Sequence, residues 1–329
     1  MIELSRRNLL AGAAAATALS SLSSNGPALA AAPPAAKQAN GFYRYKLGAF
    51  EVTVVTDGAR VGPLADNFVR NAKKDDVNAA LQAGFQNKDE LTIPFNPNVI
   101  NTGSKLVAID TGLGLGVFAQ SKGKMGQYQS NLAASGIDAK AIDVVIISHF
   151  HGDHINGLLT TDNKPAFPGA EIMVPAPEWA YWMDDGTMSR AAAGLQGNFK
   201  NVRRVFGALG NKVTKYEDNK ELAPGIVSLF TPGHTPGHSS HIVTSGTSSV
   251  LLQADVTNVP SLFVRNPGWH AVFDMDGPMA EATRRKLYDR LAADRMLMGG
   301  YHYPFPAMAH IEKDGTGYRP VPIAWNPTL

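Results

Sequence analysis

Residues 147–158 read ISHFHGDHINGL and place three histidines and one aspartate within a span of six residues. The continuous β-branched run just before them predicts a strand buried on both faces. In an extended chain His149 and His151 point the same way, because side chains alternate with a period of two. We expect Asp153 and His154 to open a helix and to face a second metal ion. Imidazole and carboxylate groups of this kind suit zinc or a similar divalent cation.

Other predicted strands also end at potential metal ligands. The segment TPGHTPGH, residues 231–238, lies between two predicted strands and carries His234 and His238. SSVLLQAD is a predicted strand that ends at Asp255, and His302 follows another short apolar run. Helical patterns separate the strands at residues 75–85, 128–136 and 279–294. Alternating strands and helices, with ligand-type residues at strand ends, predict an α/β layered fold with its site along one sheet edge.

The histidine-rich loop supplies about half of a two-metal site. It provides two ligands for each of two ions, so each ion needs at least one partner from elsewhere in the chain. Asp255 is predicted to bridge, since one carboxylate can span two ions roughly 3.5–4 Å apart. The predicted ligand sets are His149, His151 and His234 for one ion, and Asp153, His154 and His302 for the other.

The segment HFHGDH resembles the HxHxDH signature of the metallo-β-lactamase superfamily. TPGHTPGH, QAD and the late His302 are similar to the other metal motifs of that superfamily and occur in the same order. The similarity extends from Phe42 to Pro322. It implies an α/β fold, the αββα sandwich in a single domain, with two divalent metal ions at the sheet edge. Zinc is the expected metal, and Mn, Co and Fe are alternatives for a nitrogen and oxygen ligand set.

Four segments resemble the methyl parathion hydrolase family within that superfamily: GFYRYKLGAFEVTVVTDG, NTGSKLVAIDTG, PGHTPGH and HYPFPAMAHIEKDGTGYRPVPI. This resemblance implies that His234 rather than His238 is the ligand, and that Asp110 orients a ligand histidine. It also implies an aromatic pocket that grips an aryl leaving group. The candidates for this pocket are Phe118, Trp182 and Phe199, with Trp179 as a further candidate from the same sequence neighbourhood.

The expected chemistry is hydrolysis by a hydroxide that bridges the two metal ions, with Asp153 and Asp255 as the catalytic carboxylates. The main expectation for the substrate is a neutral aryl ester or organophosphate triester, because a phenolate leaves without strong acid assistance. No cluster of Lys or Arg accompanies the motifs. This argues against phosphomonoesters, nucleotides and nucleic acids as substrates.

A lactonase, including one for acyl-homoserine lactones, is the main alternative, because the same ligand set serves both reactions. A long apolar groove would favour acyl chains, whereas a compact aromatic box would favour aryl esters. A β-lactamase is a weaker alternative, because the chain has no cysteine ligand and other subclasses usually lack an aspartate at the position of Asp255. No basic C-terminal tract supports a hydroxyacylglutathione hydrolase. The complete ligand set disfavours a binding protein without turnover.

The N-terminus predicts export. Arg6 and Arg7 precede a weakly apolar, alanine-rich stretch with an Ala-Leu-Ala cleavage sequence, which indicates a twin-arginine signal. The predicted organisation is a signal peptide at 1–30, a flexible segment at 31–41 and a hydrolase domain at 42–329. The expected location is the periplasm, without stable membrane insertion. With 30 basic and 28 acidic residues the net charge is +2, so the expected partner is a small neutral molecule rather than nucleic acid, and a homodimer is left open.

Overall fold

Two seven-stranded β-sheets face each other in the computed structural model, which describes residue 35 and residues 38–329. The predicted signal peptide and most of the predicted flexible segment lie outside the described residues. Residues 40–329 form one compact unit. Within the described part of the chain, no helix is both long and apolar enough to cross a bilayer.

The strands and helices have the following bounds. The strands are β1 (Phe42–Leu47), β2 (Phe50–Val55), β3 (Gly58–Pro63), β4 (Glu90–Phe95), β5 (Asn98–Asn101), β6 (Leu106–Ile109), β7 (Val144–Ile146), β8 (Glu171–Pro175), β9 (Val213–Tyr216), β10 (Glu221–Ala223), β11 (Ile226–Phe230), β12 (Ser239–Ser245), β13 (Ser248–Leu252), β14 (Leu297–Gly299), β15 (Met308–Asp314) and β16 (Gly317–Pro322). The α-helices are α1 (Lys74–Ala83), α2 (Tyr128–Ala134), α3 (Gly152–Ile155), α4 (Ala176–Trp182), α5 (Asp185–Arg190), α6 (Ala193–Leu209), α7 (Pro260–Phe263) and α8 (Gly277–Asp294).

The order of the strands separates the chain into an N-terminal and a C-terminal half. The first sheet has the order β1-β2-β5-β6-β7-β8-β9, and the second has the order β10-β11-β12-β13-β14-β15-β16. Strands β6 to β9 run parallel to one another, and β13 runs parallel to β14, while the remaining pairs in the two sheets are antiparallel. Strands β3 and β4 form a separate two-stranded antiparallel sheet.

Apolar side chains of both sheets fill the space between them. Strand β7 shows the principle: Val144 and Ile146 join the core between the sheets, while Val145 joins the core under the helices. The outer face of the first sheet packs against α2, α4 and α6, and the outer face of the second packs against α8. The layers are therefore helix, sheet, sheet, helix, which confirms the predicted αββα sandwich. The predicted burial of β7 on both faces is also confirmed.

Parallel strands bring the predicted ligands to one edge of the sandwich. In the first sheet β7 ends just before His149. In the second sheet β13 and β14 lie side by side, and they end just before Asp255 and His302. The loop between β11 and β12 carries His234. Parallel strands end at the same side of a sheet, so the ligands meet at one edge, with four from the first sheet and three from the second.

Candidate metal centre

Three imidazoles meet in a first cluster. His149 Nε2 lies 3.1 Å from His151 Nδ1, which lies 2.9 Å from His234 Nε2. Around a tetrahedral ion with zinc–nitrogen bonds of about 2.0–2.1 Å, nitrogen ligands are separated by roughly 3.3 Å. The three rings are therefore already arranged at close to the spacing that one such ion requires. His151 presents its Nδ1 atom, whereas the other two present Nε2.

A second cluster lies beside the first and shares a carboxylate with it. The Oδ2 atom of Asp153 is 3.6 Å from His154 Nε2 and 3.4 Å from His302 Nε2. Asp255 lies between the clusters: its Oδ1 is 3.2 Å from His154 Nε2, and its Oδ2 is 3.3 Å from His234 Nε2 and 2.9 Å from His302 Nε2. The structure thus brings all seven predicted ligands together, with Asp255 in the bridging position.

Four of the five ligand imidazoles, those of His149, His154, His234 and His302, are oriented by a hydrogen bond at the nitrogen that faces away from the cluster. His154 Nδ1 donates to Asp110 Oδ2 at 2.8 Å, and His302 Nδ1 donates to the carbonyl oxygen of Pro94 at 2.8 Å. The hydroxyl of Ser148 donates to Asp110 and accepts from His149 Nδ1 at 3.0 Å. These bonds place the proton on the outer nitrogen and leave the inner one free to bind a cation. Asp110 occupies the orienting position that the sequence predicts for it.

Burial and charge divide the imidazoles into two groups. Burial, reinforced by neighbouring imidazoles, lowers the pKa of His149 and His151 well below the usual range. Burial also acts to lower the pKa of His154, but the carboxylates of Asp255 and Asp110 outweigh it and raise that pKa well above the usual range. Conversely, His302 and His154 outweigh burial and hold the pKa of Asp255 well below its usual range. A divalent cation would take the place of the proton that this arrangement favours on His154.

Two buried atoms test whether cations fit the site. His154 Nε2 and Asp255 Oδ1 are buried, and neither forms a hydrogen bond with any residue that the structure describes. Leaving a buried polar atom unpaired costs about 1–3 kcal/mol, and more for a charged group. Both atoms point into the space between the clusters, where a cation would satisfy them. The donor set of imidazole nitrogens and carboxylate oxygens therefore fits two divalent ions.

Glu178 holds the two ligand loops together, a role that the sequence-based prediction missed. Its buried carboxylate accepts from the backbone N–H of Phe150 at 3.0 Å and from that of Gly237 at 2.8 Å. It also accepts from the indole N–H of Trp182 at 2.8 Å. One side chain therefore joins the loop of His149 to the loop of His234. The available signal was a lone acidic residue within the otherwise apolar run PEWAYW.

Two more residues behind the ligands were not predicted to have roles at the site. Asp274 accepts from His234 Nδ1 at 3.0 Å, but nothing in the sequence distinguishes it from an ordinary turn residue. His238 Nε2 accepts from the backbone N–H of Asp255 at 3.0 Å, while its Nδ1 donates to the carbonyl oxygen of Thr231. His238 therefore holds the backbone of the bridging residue, and both of its ring nitrogens are used in these bonds rather than in a cluster.

A cleft of about 930 Å³ opens above the two clusters. Most of its wall is apolar, and Arg60, Arg70, Tyr181, Asn198 and Asn258 add polar groups. The floor is formed by His151, Asp153, His234, Asp255 and His302. The apolar wall consists of Ile93, Phe95, Leu113, Met125, Leu195, Val272, Phe273 and Met275, with Ala192 beside them.

None of the four aromatic residues predicted for the substrate pocket lines this cleft, which corrects that prediction. Trp182 and Phe199 are fully buried and pack on each other at 4.7 Å between ring centroids, in the layer between helices and sheet. Trp179 packs against Phe206 in the same layer at 5.5 Å. Phe118 is exposed and lies outside the cleft. Large aromatic side chains filled the core instead, because they bury the most apolar area there.

A family model described as the metallo-β-lactamase superfamily matches residues 96–300. The chain therefore belongs to the metallo-β-lactamase superfamily. It has the fold and the metal-ligand types of the metal-dependent hydrolases in this superfamily, as the sequence predicts. The finer resemblance to methyl parathion hydrolases stays a prediction.

Individual relatives and solved structures add detail. The chain is 29% identical over 168 residues to an N-acyl homoserine lactonase of Bacillus thuringiensis. This alignment covers 49% of this chain and 59% of that protein. A solved structure of AidC, a dizinc quorum-quenching lactonase, has a TM-score of 0.81 and 25% identity and covers 87% of this chain and 98% of that one. The solved structure of the hydrolase AbOPH of the β-lactamase superfamily has a TM-score of 0.80 and 25% identity, and the match covers 88% of this chain and 100% of that one.

Proposed function

We propose that this protein is a two-metal hydrolase that opens lactone rings carrying an N-acyl side chain. The relatives whose names state an activity support this proposal, because both the Bacillus thuringiensis protein and AidC are lactonases. The match to the former spans 59% of its length. The alternative drawn from the sequence is therefore better supported than the main expectation of aryl ester or phosphotriester hydrolysis.

The composition of the cleft wall is the observation that carries the proposal. A compact aromatic box would favour an aryl leaving group, but here the wall is mainly aliphatic and sulfur-containing, with two phenylalanines and one tyrosine along a volume of about 930 Å³. Such a cleft can bury an acyl chain while the floor holds a lactone ring. Arg60 and Arg70 are the two charged side chains of the wall, and Arg70 already donates to the main-chain carbonyls of Val272 and Asp274.

The residues of the two clusters would have different roles in ring opening. His149, His151 and His234 would hold one cation, and Asp153, His154 and His302 the other. Bound divalent cations supply a hydroxide at neutral pH and polarise the carbonyl oxygen. Addition of this hydroxide to the carbonyl carbon would break the acyl C–O single bond of the ring, and the proton of the added hydroxide would pass to the departing alkoxide, which gives a carboxylate and an alcohol. Asp255 is the carboxylate placed between both clusters to carry that proton, while Asp110, Asp274 and the Pro94 carbonyl keep the imidazoles in place.

A substrate panel tests the proposal on protein of measured metal content. We would compare kcat/KM for an N-acetyl and an N-decanoyl homoserine lactone, phenyl acetate, dimethyl 4-nitrophenyl phosphate and a cephalosporin. We expect the decanoyl lactone to exceed every other substrate by about tenfold or more, because only it fills the apolar wall. A higher kcat/KM for the aryl ester or the phosphotriester would restore the expectation drawn first from the sequence. Periplasmic location and homodimer formation stay predictions.

A further inference from the structure

The loop between α7 and α8 runs alongside the segment that carries His234. We define the wall loop as residues 271–276, since Val272, Phe273 and Met275 form part of the cleft wall. Its backbone pairs with the ligand segment: Met275 N–H donates to the carbonyl oxygen of His234 at 3.0 Å, and the N–H of residue 276 donates to that of residue 233 at 2.9 Å. The wall of the cleft and one ligand of the first cluster are therefore directly joined.

The side chain of Asp274 adds a second connection. One carboxylate oxygen accepts from His234 Nδ1 at 3.0 Å, and the other accepts from the Ala271 N–H at 3.2 Å. The guanidinium of Arg284 lies 3.3 Å from that second oxygen. Asp274 is 1% exposed and Arg284 is 1% exposed, so this contact is shielded from solvent. The orientation of His234 thus depends on where the wall loop places Asp274.

Two arginines fix the position of the wall loop. Arg284 also donates to the carbonyl oxygens of Val256, Pro267 and Trp269, and Val256 directly follows the bridging Asp255. Arg70 approaches from the other side and donates to the carbonyl oxygens of Val272 at 2.6 Å and Asp274 at 3.0 Å. Arg70 therefore holds the backbone of the same residue whose side chain orients His234.

We propose that Asp274 and Arg70 are positioning residues that couple the cleft wall to the first metal cluster. Neither touches the reacting atoms. Without Arg70, the wall loop gains freedom at Val272 and Asp274, so the contact of Phe273 with substrate and the orientation of His234 weaken together. Orienting partners of metal-bound histidines typically change metal affinity by about 10- to 100-fold. The substrate part of this inference rests on the proposed lactonase function, whereas the metal part does not.

The test uses cobalt, because Co²⁺ reports on its ligands through visible absorption. The full-length protein and the variants Asp274→Asn and Arg70→Met would be titrated with Co²⁺ in competition with a chelator. Arg44→Met is the matched control, since Arg44 also donates to a main-chain carbonyl, that of Ser135, and neither residue lines the cleft. KM and kcat for the N-decanoyl lactone, and the melting temperature, would be measured on the same samples.

We expect Asp274→Asn to lower the affinity for one of the two cobalt ions by roughly tenfold or more and to alter the absorption band of that ion. Arg70→Met should change both in the same direction but by less. Arg70→Met should also raise the KM for the decanoyl lactone more than it lowers kcat, while Arg44→Met should match the original protein in both assays. If Arg70→Met is folded and its affinity for Co²⁺ equals that of Arg44→Met, the proposed coupling is wrong, whatever the result for Asp274→Asn. If no lactone is hydrolysed but cobalt binding shifts as expected, the proposed function fails and the coupling of Arg70 and Asp274 to the metal stands.

Discussion

The floor and the wall of the cleft are built in different ways. At the clusters five of the seven ligand residues are buried, and His151 and Asp153 are partly exposed. The imidazoles of His154 and His302, for example, are each fixed by a hydrogen bond on the side away from the cluster. The wall includes side chains from the two-stranded sheet of β3 and β4, the loop after β6, α6 and the wall loop. One of them, Phe273, is 39% exposed and contacts its neighbour Phe68 only edge to face.

This difference separates the reaction from the choice of substrate. A floor residue is held by several partners, so replacing it disturbs the clusters themselves and affects every substrate. An apolar wall side chain such as Phe273 is held mainly by apolar contacts, so replacing it changes the fit of particular substrates. Arg70 and Asp274 differ from these side chains, because their hydrogen bonds would link the wall to the first cluster. The following substitutions test this separation.

Asp255→Ala should have the largest effect. It removes the carboxylate that lies within 3.3 Å of imidazoles from both clusters. We expect kcat/KM to fall by roughly 10³-fold or more for all substrates, because both the position of the nucleophile and proton transfer depend on this group. Metal analysis of the purified protein should show less than the full complement. Full activity with two ions bound would contradict the bridging role.

Asp110→Asn should have the next largest effect. The variant keeps the size of the side chain but places an N–H group among the donors of Ser148 and His154. We expect about 10- to 100-fold weaker binding of one metal ion, measured by chelator competition. Asp143→Asn is the control, because Asp143 accepts a hydrogen bond from the Leu106 N–H in the same sheet but away from the site. Equal metal affinity in the two variants would refute the orienting role of Asp110.

Phe273→Ala should affect long substrates selectively. Removing this ring takes away part of the apolar wall, a loss of roughly 1 kcal/mol of binding for a chain that packs on it. We expect the KM for an N-decanoyl lactone to rise about three- to tenfold, with kcat and the KM for an N-acetyl lactone almost unchanged. Equal changes for both lactones would show that this part of the wall does not contact the acyl chain.

Phe118→Ala should have the smallest effect. Phe118 is 44% exposed and does not line the cleft. We expect kcat/KM for lactones and aryl esters to stay within about twofold of the original values, as for most surface substitutions. A selective loss with phenyl acetate would instead support the aromatic pocket that the sequence suggested, and would require Phe118 to move toward the cleft when substrate binds.

The floor could be predicted from the sequence because its ligands are encoded locally. The strand before His149, the alternation of an extended chain and the ligands at other strand ends pointed to these positions, and the family resemblance selected His234 over His238. The αββα layers followed from the same motifs by resemblance. The predicted helices at 75–85, 128–136 and 279–294 are also present, at Lys74–Ala83, Tyr128–Ala134 and Gly277–Asp294.

The wall could not be predicted in this way, because no local pattern marks its residues. Helix α6 was missed although Phe199, Val202 and Phe206 recur at helical spacing, because its glycines lower the intrinsic preference for a helix. Asp274 and Glu178 act through contacts with residues that are distant in the sequence. The predicted aromatic pocket failed for a related reason, since the sequence does not distinguish Trp182 in a core from Trp182 in a cleft.

The division of the ligands between the two sheets has a consequence for how the chain holds together. Any ion bound by His154 and His302, or by His149 and His234, is a cross-link between the first and second halves of the fold. Closing such a long loop removes much of the conformational freedom of the unfolded chain, which is the effect that disulfides have in other proteins. This chain has no cysteine. Its cross-links would therefore withstand a reducing agent and open in the presence of a chelator.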